Sequence, residues 1–192
     1  QADKPGFNIE FLNNRQLIQE YREVAAKYIR LNKKTLLYID KIYNDCFDKS
    51  DRILGVVVRG TDYVLNKPKN HPVQPTAEQA IEKCREVMKE QNCNKIFLAT
   101  EDKKIYDAFN YAFKSQLVTN PKEYVEYRGG VINSYVFDRE NDGYLRGLEY
   151  LTTMIILSRC QCLLAGRCGA SVVAMLLSRG YEYTFLWDLG EY

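Results

Sequence analysis

At 192 residues, the chain is long enough to bury one sizeable core. Its formal net charge is only +2, with signs mixed and no polybasic run, so neither nucleic acid nor an anionic membrane is favoured as a partner. No apolar stretch reaches the length of a membrane span, and the longest, around Leu151 to Leu157, is interrupted by threonines. The polar start, Gln1 to Asn8, has no signal-peptide core, and without an initiator Met the chain reads as a trimmed fragment.

Asn13 to Leu31 carries Leu17, Ile18, Tyr21, Val24, Ala25, Tyr28 and Ile29 at helical spacing, with Asn14 placed to cap the first turn. Thr35 to Phe47 repeats the pattern. The two predict a helical lead-in ahead of the first strand. Ile53 to Val58 is a short β-branched run of the kind buried on both faces of a parallel sheet. A loop is expected from Gly60 to Pro75. Thr76 and Gln79 then form the capping box of a helix reaching about Gln91. Lys95 to Ala99 is a second buried strand, followed by a helix from Asp102 to Phe113. Leu117–Thr119 and Tyr124–Tyr127 are short strand candidates. A loop follows from Gly129 to Gly143, and an apolar helix from Tyr144 to Leu157. The pattern closes with a strand at Cys162–Ala165, a helix at Gly169–Ser178 and a strand at Tyr183–Trp187. Strands alternating with helices predict an α/β fold with a doubly wound, Rossmann-like parallel sheet.

The cysteines are Cys46, Cys84, Cys93, Cys160, Cys162 and Cys168. Their spacing is irregular and a core of this size needs no staples, so reduced thiols and a cytoplasmic setting are expected, with peripheral membrane contact left open. No CxxC pair exists and His71 is the lone histidine, which disfavours a zinc site and a serine-histidine triad.

Ligands of open α/β sheets bind beyond the carboxyl ends of the strands. Three such ends carry polar or small residues. The first is Arg59-Gly60-Thr61-Asp62. Arg59 has a planar fork suited to phosphate, but it could equally pair with Asp62 to tie down the turn. The second is Thr100-Glu101-Asp102, a nucleoside contact or a helix cap. The third is Gly166 to Ser171, where Gly169, Ala170 and Ser171 open a helix that can cradle an anion, or that simply packs close to the sheet. His71-Pro72 closes the first loop, as a loop contact to the ligand or as an ordinary turn residue. Together the three ends suggest one nucleotide, with phosphate at Arg59 and Ser171 and base or ribose at Glu101-Asp102. Neither GxxxxGK[ST] nor GxGxxG is present, so P-loop and dinucleotide enzymes are disfavoured.

At these residues the chain resembles the fucosyltransferase superfamily that includes the α1,6-fucosyltransferases, the nodulation fucosyltransferases and, more remotely, the protein O-fucosyltransferases. The family's strand ending in HxRRTD is matched by Val57-Val58-Arg59-Gly60-Thr61-Asp62, and its following His-Pro by His71-Pro72. Its LAT(D/E)D is matched by Leu98-Ala99-Thr100-Glu101-Asp102. Leu145-Arg146-Gly147, Leu157-Ser158 and the turn Gly166–Ser171 complete the order. The resemblance implies the C-terminal, nucleotide-sugar half of a GT-B glycosyltransferase. Residues 51–192 would form that donor-binding domain, and residues 1–50 a lead-in from a further domain. It also implies GDP-fucose as donor, a glycan or polysaccharide acceptor, inversion at the transferred carbon, and no metal or other cofactor. Arg59 would bind the β-phosphate, Asp102 the guanine or ribose, and Ser171 the phosphate. The chain departs from the pattern in three places. Val57 stands for the motif histidine, Gly60 for the second arginine, and Lys67 for the acceptor-activating glutamate. Asp62 is then the candidate base, or else the residue that orients Arg59. A non-catalytic nucleotide- or glycan-binding domain is the competing reading.

Overall fold

The computed structural model describes residues 8–130 and 135–192. Most of the polar start and the middle of the expected Gly129–Gly143 loop lie outside the described residues.

Five strands, β1 (Ile53–Val57), β2 (Lys95–Ala99), β3 (Leu117–Val118), β4 (Cys162–Ala165) and β5 (Tyr183–Leu186), form one sheet in the order β3-β2-β1-β4-β5. Every pairing is parallel. The helices in chain order are α1 (Ile9–Asn13), α2 (Arg15–Tyr28), α3 (Lys33–Cys46), α4 (Thr61–Leu65), α5 (Ala77–Glu90), α6 (Lys103–Phe113), α7 (Asp142–Arg159) and α8 (Gly169–Leu177).

The alternation of the strands divides the core in two. Ile53 and Val57 of β1, Phe97 and Ala99 of β2, and Leu163 and Ala165 of β4 face one side, where Met154 and Leu157 of α7 and Ala174 of α8 cover them. Leu54, Val56, Ile96, Leu98 and Leu164 face the other, against Cys84 and Val87 of α5 and Phe109 of α6. Both faces are buried, so the strands read as continuous apolar runs. Leu12, Ile18 and Ile42 of the lead-in join the first of these clusters. Gly55 admits the close approach of α7. A Cβ there would meet Leu157 Cδ2 at 3.1 Å and Cys160 Sγ at 3.2 Å.

Two local expectations are corrected. The loop after β1 contains a helical turn, α4, because Thr61 takes a positive φ of 51° and folds the chain back at once. Tyr124–Tyr127 forms no strand. Val125 makes a single parallel bridge to Asp102, enough to hold this segment over the end of β2 without a ladder. All six cysteines are free thiols. No helix among the described residues is long and apolar enough to cross a membrane.

The chain runs outward from β1 through β2 to β3, then returns by α7 to β4 on the other flank of β1. That reversal between β1 and β4 opens a crevice at the carboxyl edge, the place where sheets of this kind take ligands.

Candidate functional site

Arg59 follows β1 and is mostly buried. Its Nη1 lies 3.2 Å from Glu101 Oε2 and its Nη2 3.4 Å from Asp62 Oδ1. The guanidinium carbon sits 4.8 Å from the centre of the Tyr63 ring. The Nε of Arg59 is buried without a hydrogen-bond partner. Burial alone would pull its pKa down, but the carboxylates of Glu101 and Asp62 outweigh that and hold it above the ordinary value. The pairing with Asp62 that ties down the turn is therefore realised, and the same side chain lines a cavity.

The end of β2 supports this turn from below. Glu101 Oε1 accepts from the Thr61 hydroxyl at 2.9 Å and from Gly60 N at 3.3 Å. Asp102 caps α6, accepting through Oδ1 from Lys104 N at 2.8 Å, while its Oδ2 accepts from Thr61 N at 3.1 Å. The same cap restricts position 60 to glycine. A Cβ built there would fall 2.3 Å from Asp102 Oδ2 and 2.7 Å from Asp102 Cβ, so no larger residue fits beside this cap.

A cavity of about 440 Å³ opens at this edge, lined by Arg59, Thr100, Glu101, Lys122, Tyr150 and Ala170 among others. Its size falls in the range of small-molecule sites, about 300–1,000 Å³. Its far wall is α7, which brings Arg146 and Glu149. Glu149 is gripped by Arg139 at 2.5 and 3.0 Å, and Asp142 by the same arginine at 2.7 Å, which anchors the segment leading into α7. Lys122 donates to the carbonyl oxygen of Thr100, and burial lowers its pKa to about 8.

Of the expected site residues, Arg59, Thr100, Glu101 and Ala170 line the cavity together. Asp102 and Asp62 stand behind them as cap and ion-pair partner. The Ser171 side chain is turned away. It is fully buried, and its hydroxyl accepts from Cys168 N at 3.0 Å and donates to Cys168 O at 2.8 Å. Gly169 opens α8 with no atom within 4 Å of a Cβ built on it, leaving the helix start uncrowded. His71 does not line the cavity but packs edge-on against Tyr63 at 5.3 Å, behind Arg59. Its backbone carbonyl accepts from Tyr192 N at 3.1 Å.

Lys122 and Tyr150 escaped the sequence reading, and Arg146 entered it only within a matching segment, without a site role. One signal could have found Lys122: in a parallel sheet, whatever follows a strand starts at the carboxyl edge, and Lys122 follows β3. A larger cavity of about 1130 Å³ lies elsewhere, between α2, α7 and α8, and reaches Gln161 at the opposite, amino edge of β4. Its walls bring together none of the strand-end residues. Among the described residues no group of three or more His, Cys, Asp or Glu converges as a metal site.

No family model and no curated protein matches the chain. Solved structures do. One is NodZ α-1,6-fucosyltransferase soaked with GDP-fucose, at 21% identity and TM-score 0.54, covering 81% of this chain and 46% of that one. Another is selenomethionine NodZ from Bradyrhizobium, at 19% identity and TM-score 0.56, covering 87% and 48%. A third is POFUT1 in complex with GDP-fucose, at 12% identity and TM-score 0.57, covering 92% and 50%. The chain spans about half the length of these structures. It has a fucosyltransferase-like α/β fold, matching part of each of those chains.

Proposed function

We propose that the chain is the donor-binding part of an inverting glycosyltransferase that moves fucose, or a related sugar, from GDP to a glycan acceptor. The observation that carries this is the position of Arg59. It stands at the carboxyl end of β1, lining a cavity at the point where the strand order reverses, in a fold shared with structures that hold GDP-fucose. In the reaction the acceptor oxygen attacks the sugar's anomeric carbon as the bond to the β-phosphate oxygen breaks. The acceptor proton passes to a base, and GDP leaves with the electron pair. Arg59 is suited to meet the charge that builds on the leaving phosphate. The uncrowded start of α8 at Gly169 adds the positive end of the helix dipole close by. Ser171 contributes through the backbone and the shape of the turn, rather than through its hydroxyl. Asp62 orients Arg59. Phosphate charge is met by protein cations, so no metal is needed.

Calorimetry with GDP, UDP and ADP, each with and without EDTA, tests this. Tightest binding to GDP, unchanged by EDTA, is expected. Equal affinities, or a strict need for Mg²⁺, would overturn it.

One observation favours a second reading. Arg59 is already held by two carboxylates, the arrangement of a structural ion cluster. A nucleotide-binding domain without turnover would keep GDP affinity and release no fucose from GDP-fucose with any acceptor, once any partner domain is supplied.

A further inference from the structure

We propose that Lys122 is the second phosphate-binding cation of the cavity, lining it together with Arg59 to take the diphosphate of a nucleoside-diphosphate ligand. This rests on the nucleotide reading above and adds a residue to it.

Three observations converge. The first is charge. Arg59 enters the cavity with Glu101 and Asp62 already bonded to it, so that cluster carries a net negative charge. A diphosphate brought there needs a further cation. The turn after β1 cannot supply one at position 60, because a Cβ there collides with Asp102.

The second is unused bonding capacity. An ammonium has three donors and no acceptor. The hydrogen bond that Lys122 makes among the described residues goes to the carbonyl oxygen of Thr100. That leaves two N–H groups in a half-buried setting. A charged group held this way is costly unless something fills its remaining valence. The stacked ring pair Tyr124–Tyr106 fixes the approach of the segment. Its ring centres are 4.3 Å apart, and Lys122 Nζ lies 5.2 Å from the Tyr124 ring centre.

The third is position. Lys122 shares the cavity wall with Arg59, Thr100 and Glu101, although it comes from a different segment, held down by the bridge between Val125 and Asp102.

The surroundings set a pH signature. Burial lowers the ammonium to about 8, with Glu101 and Glu149 holding it up and Arg59 pushing it down. The other charged or titratable groups around it are Arg146 and Tyr150 of α7, Glu123 and Tyr124 of its own segment, and Tyr106 of α6. Burial pushes Tyr150 and Tyr124 upward, so both stay neutral through this window. Binding a phosphate above pH 8 therefore requires Lys122 to take up a proton.

The test is calorimetry with GDP at pH 7, 8 and 9, on wild type, Lys122→Met and Lys122→Arg, with thermal unfolding of each as a check on folding. At pH 7, Lys122→Met is expected to bind GDP about 10- to 100-fold more weakly. Wild-type affinity should fall by about fivefold between pH 8 and pH 9, with net proton uptake seen as a dependence on buffer ionisation heat. Lys122→Arg should bind GDP with a flat profile, since arginine keeps its charge. The difference between these two profiles isolates Lys122 even if Lys122→Met fails to fold. Parallel profiles for wild type and Lys122→Arg, or full GDP affinity in folded Lys122→Met, would overturn the role of Lys122 while leaving the nucleotide site standing. Absence of GDP binding by the wild type at every pH would overturn both.

Discussion

Replacing Gly60 with alanine should break the joint between the ends of β1 and β2. The added Cβ would lie 2.3 Å from Asp102 Oδ2, 2.8 Å from its Cγ and 2.7 Å from its Cβ. Rotating the carboxylate relieves the first two contacts but not the third, so the Asp102 backbone has to move as well. Asp102 then loses its cap on α6, a loss of about 1 kcal/mol. It also loses the charged acceptor for Thr61 N, worth about 1.5–3 kcal/mol. Together Gly60→Ala should destabilise the chain by about 3 kcal/mol. Urea unfolding measures this as a shift in midpoint at constant slope. Asp102→Gly removes the obstructing atoms. In that background Gly60→Ala should cost less by at least about 1 kcal/mol, a coupling expected only of residues in direct contact. A Gly60→Ala variant within about 0.5 kcal/mol of wild type, the range of an ordinary surface change, would refute the crowding at this joint. So would strictly additive effects in the double variant.

Arg59→Lys keeps a charge but loses the fork. If Arg59 meets the leaving phosphate, both it and Arg59→Ala should lose about 2.7–4 kcal/mol of transition-state stabilisation, a drop of 10²–10³ in transfer rate. Arg59→Lys keeps a cation between Glu101 and Asp62 and should change thermal unfolding much less than Arg59→Ala, which leaves both carboxylates unpaired. Ser171→Ala should cost about 1–2 kcal/mol of stability, because its hydroxyl serves both the N–H and the carbonyl of Cys168. GDP affinity should stay unchanged in that variant, and a selective loss would mean that the hydroxyl reaches the ligand. Lys122 makes a prediction for stability as well. Its folded pKa of about 8 lies below the ordinary 10.5, so the unfolded chain binds the extra proton between those values. Stability should therefore rise with pH across that window, by a contribution of about 3 kcal/mol. Denaturation profiles of wild type and Lys122→Met should converge or cross as pH rises from 8 to 10, and a constant offset between them would contradict the buried ammonium.

Local signals carried much of the fold. The apolar runs at β1, β2 and β4 are long enough and bounded sharply enough to declare themselves, and the Thr76–Gln79 capping box forms as read, at 2.9 and 3.2 Å. Asn14 caps α2 by accepting from Leu17 N at 3.0 Å. The parallel sheet then follows from alternation alone. The site was only half legible. That Arg59, Thr100, Glu101 and Ala170 converge is a consequence of topology, since each begins just past a strand. What each side chain does there depends on contacts across tens of residues. Glu101 lies forty-two residues from Arg59, yet its carboxylate is Arg59's ion-pair partner. Ser171 is three residues from Cys168, but only the fold of the turn decides that its hydroxyl looks inward. Thr61 adopts a backbone conformation uncommon for a β-branched residue, and no pattern in the loop foretold α4. Lys122 sits in a segment with no periodicity, placed by one bridge to Asp102.

A crystal structure of the chain with GDP puts the central claim to the most direct trial, because the two cavities lie at opposite edges of the sheet. The diphosphate is expected in the cavity of about 440 Å³, with its oxygens within hydrogen-bond distance of Arg59 and facing the start of α8. GDP in the groove of about 1130 Å³ beside Gln161, or in the smaller cavity with its phosphates turned away from Arg59, would contradict it.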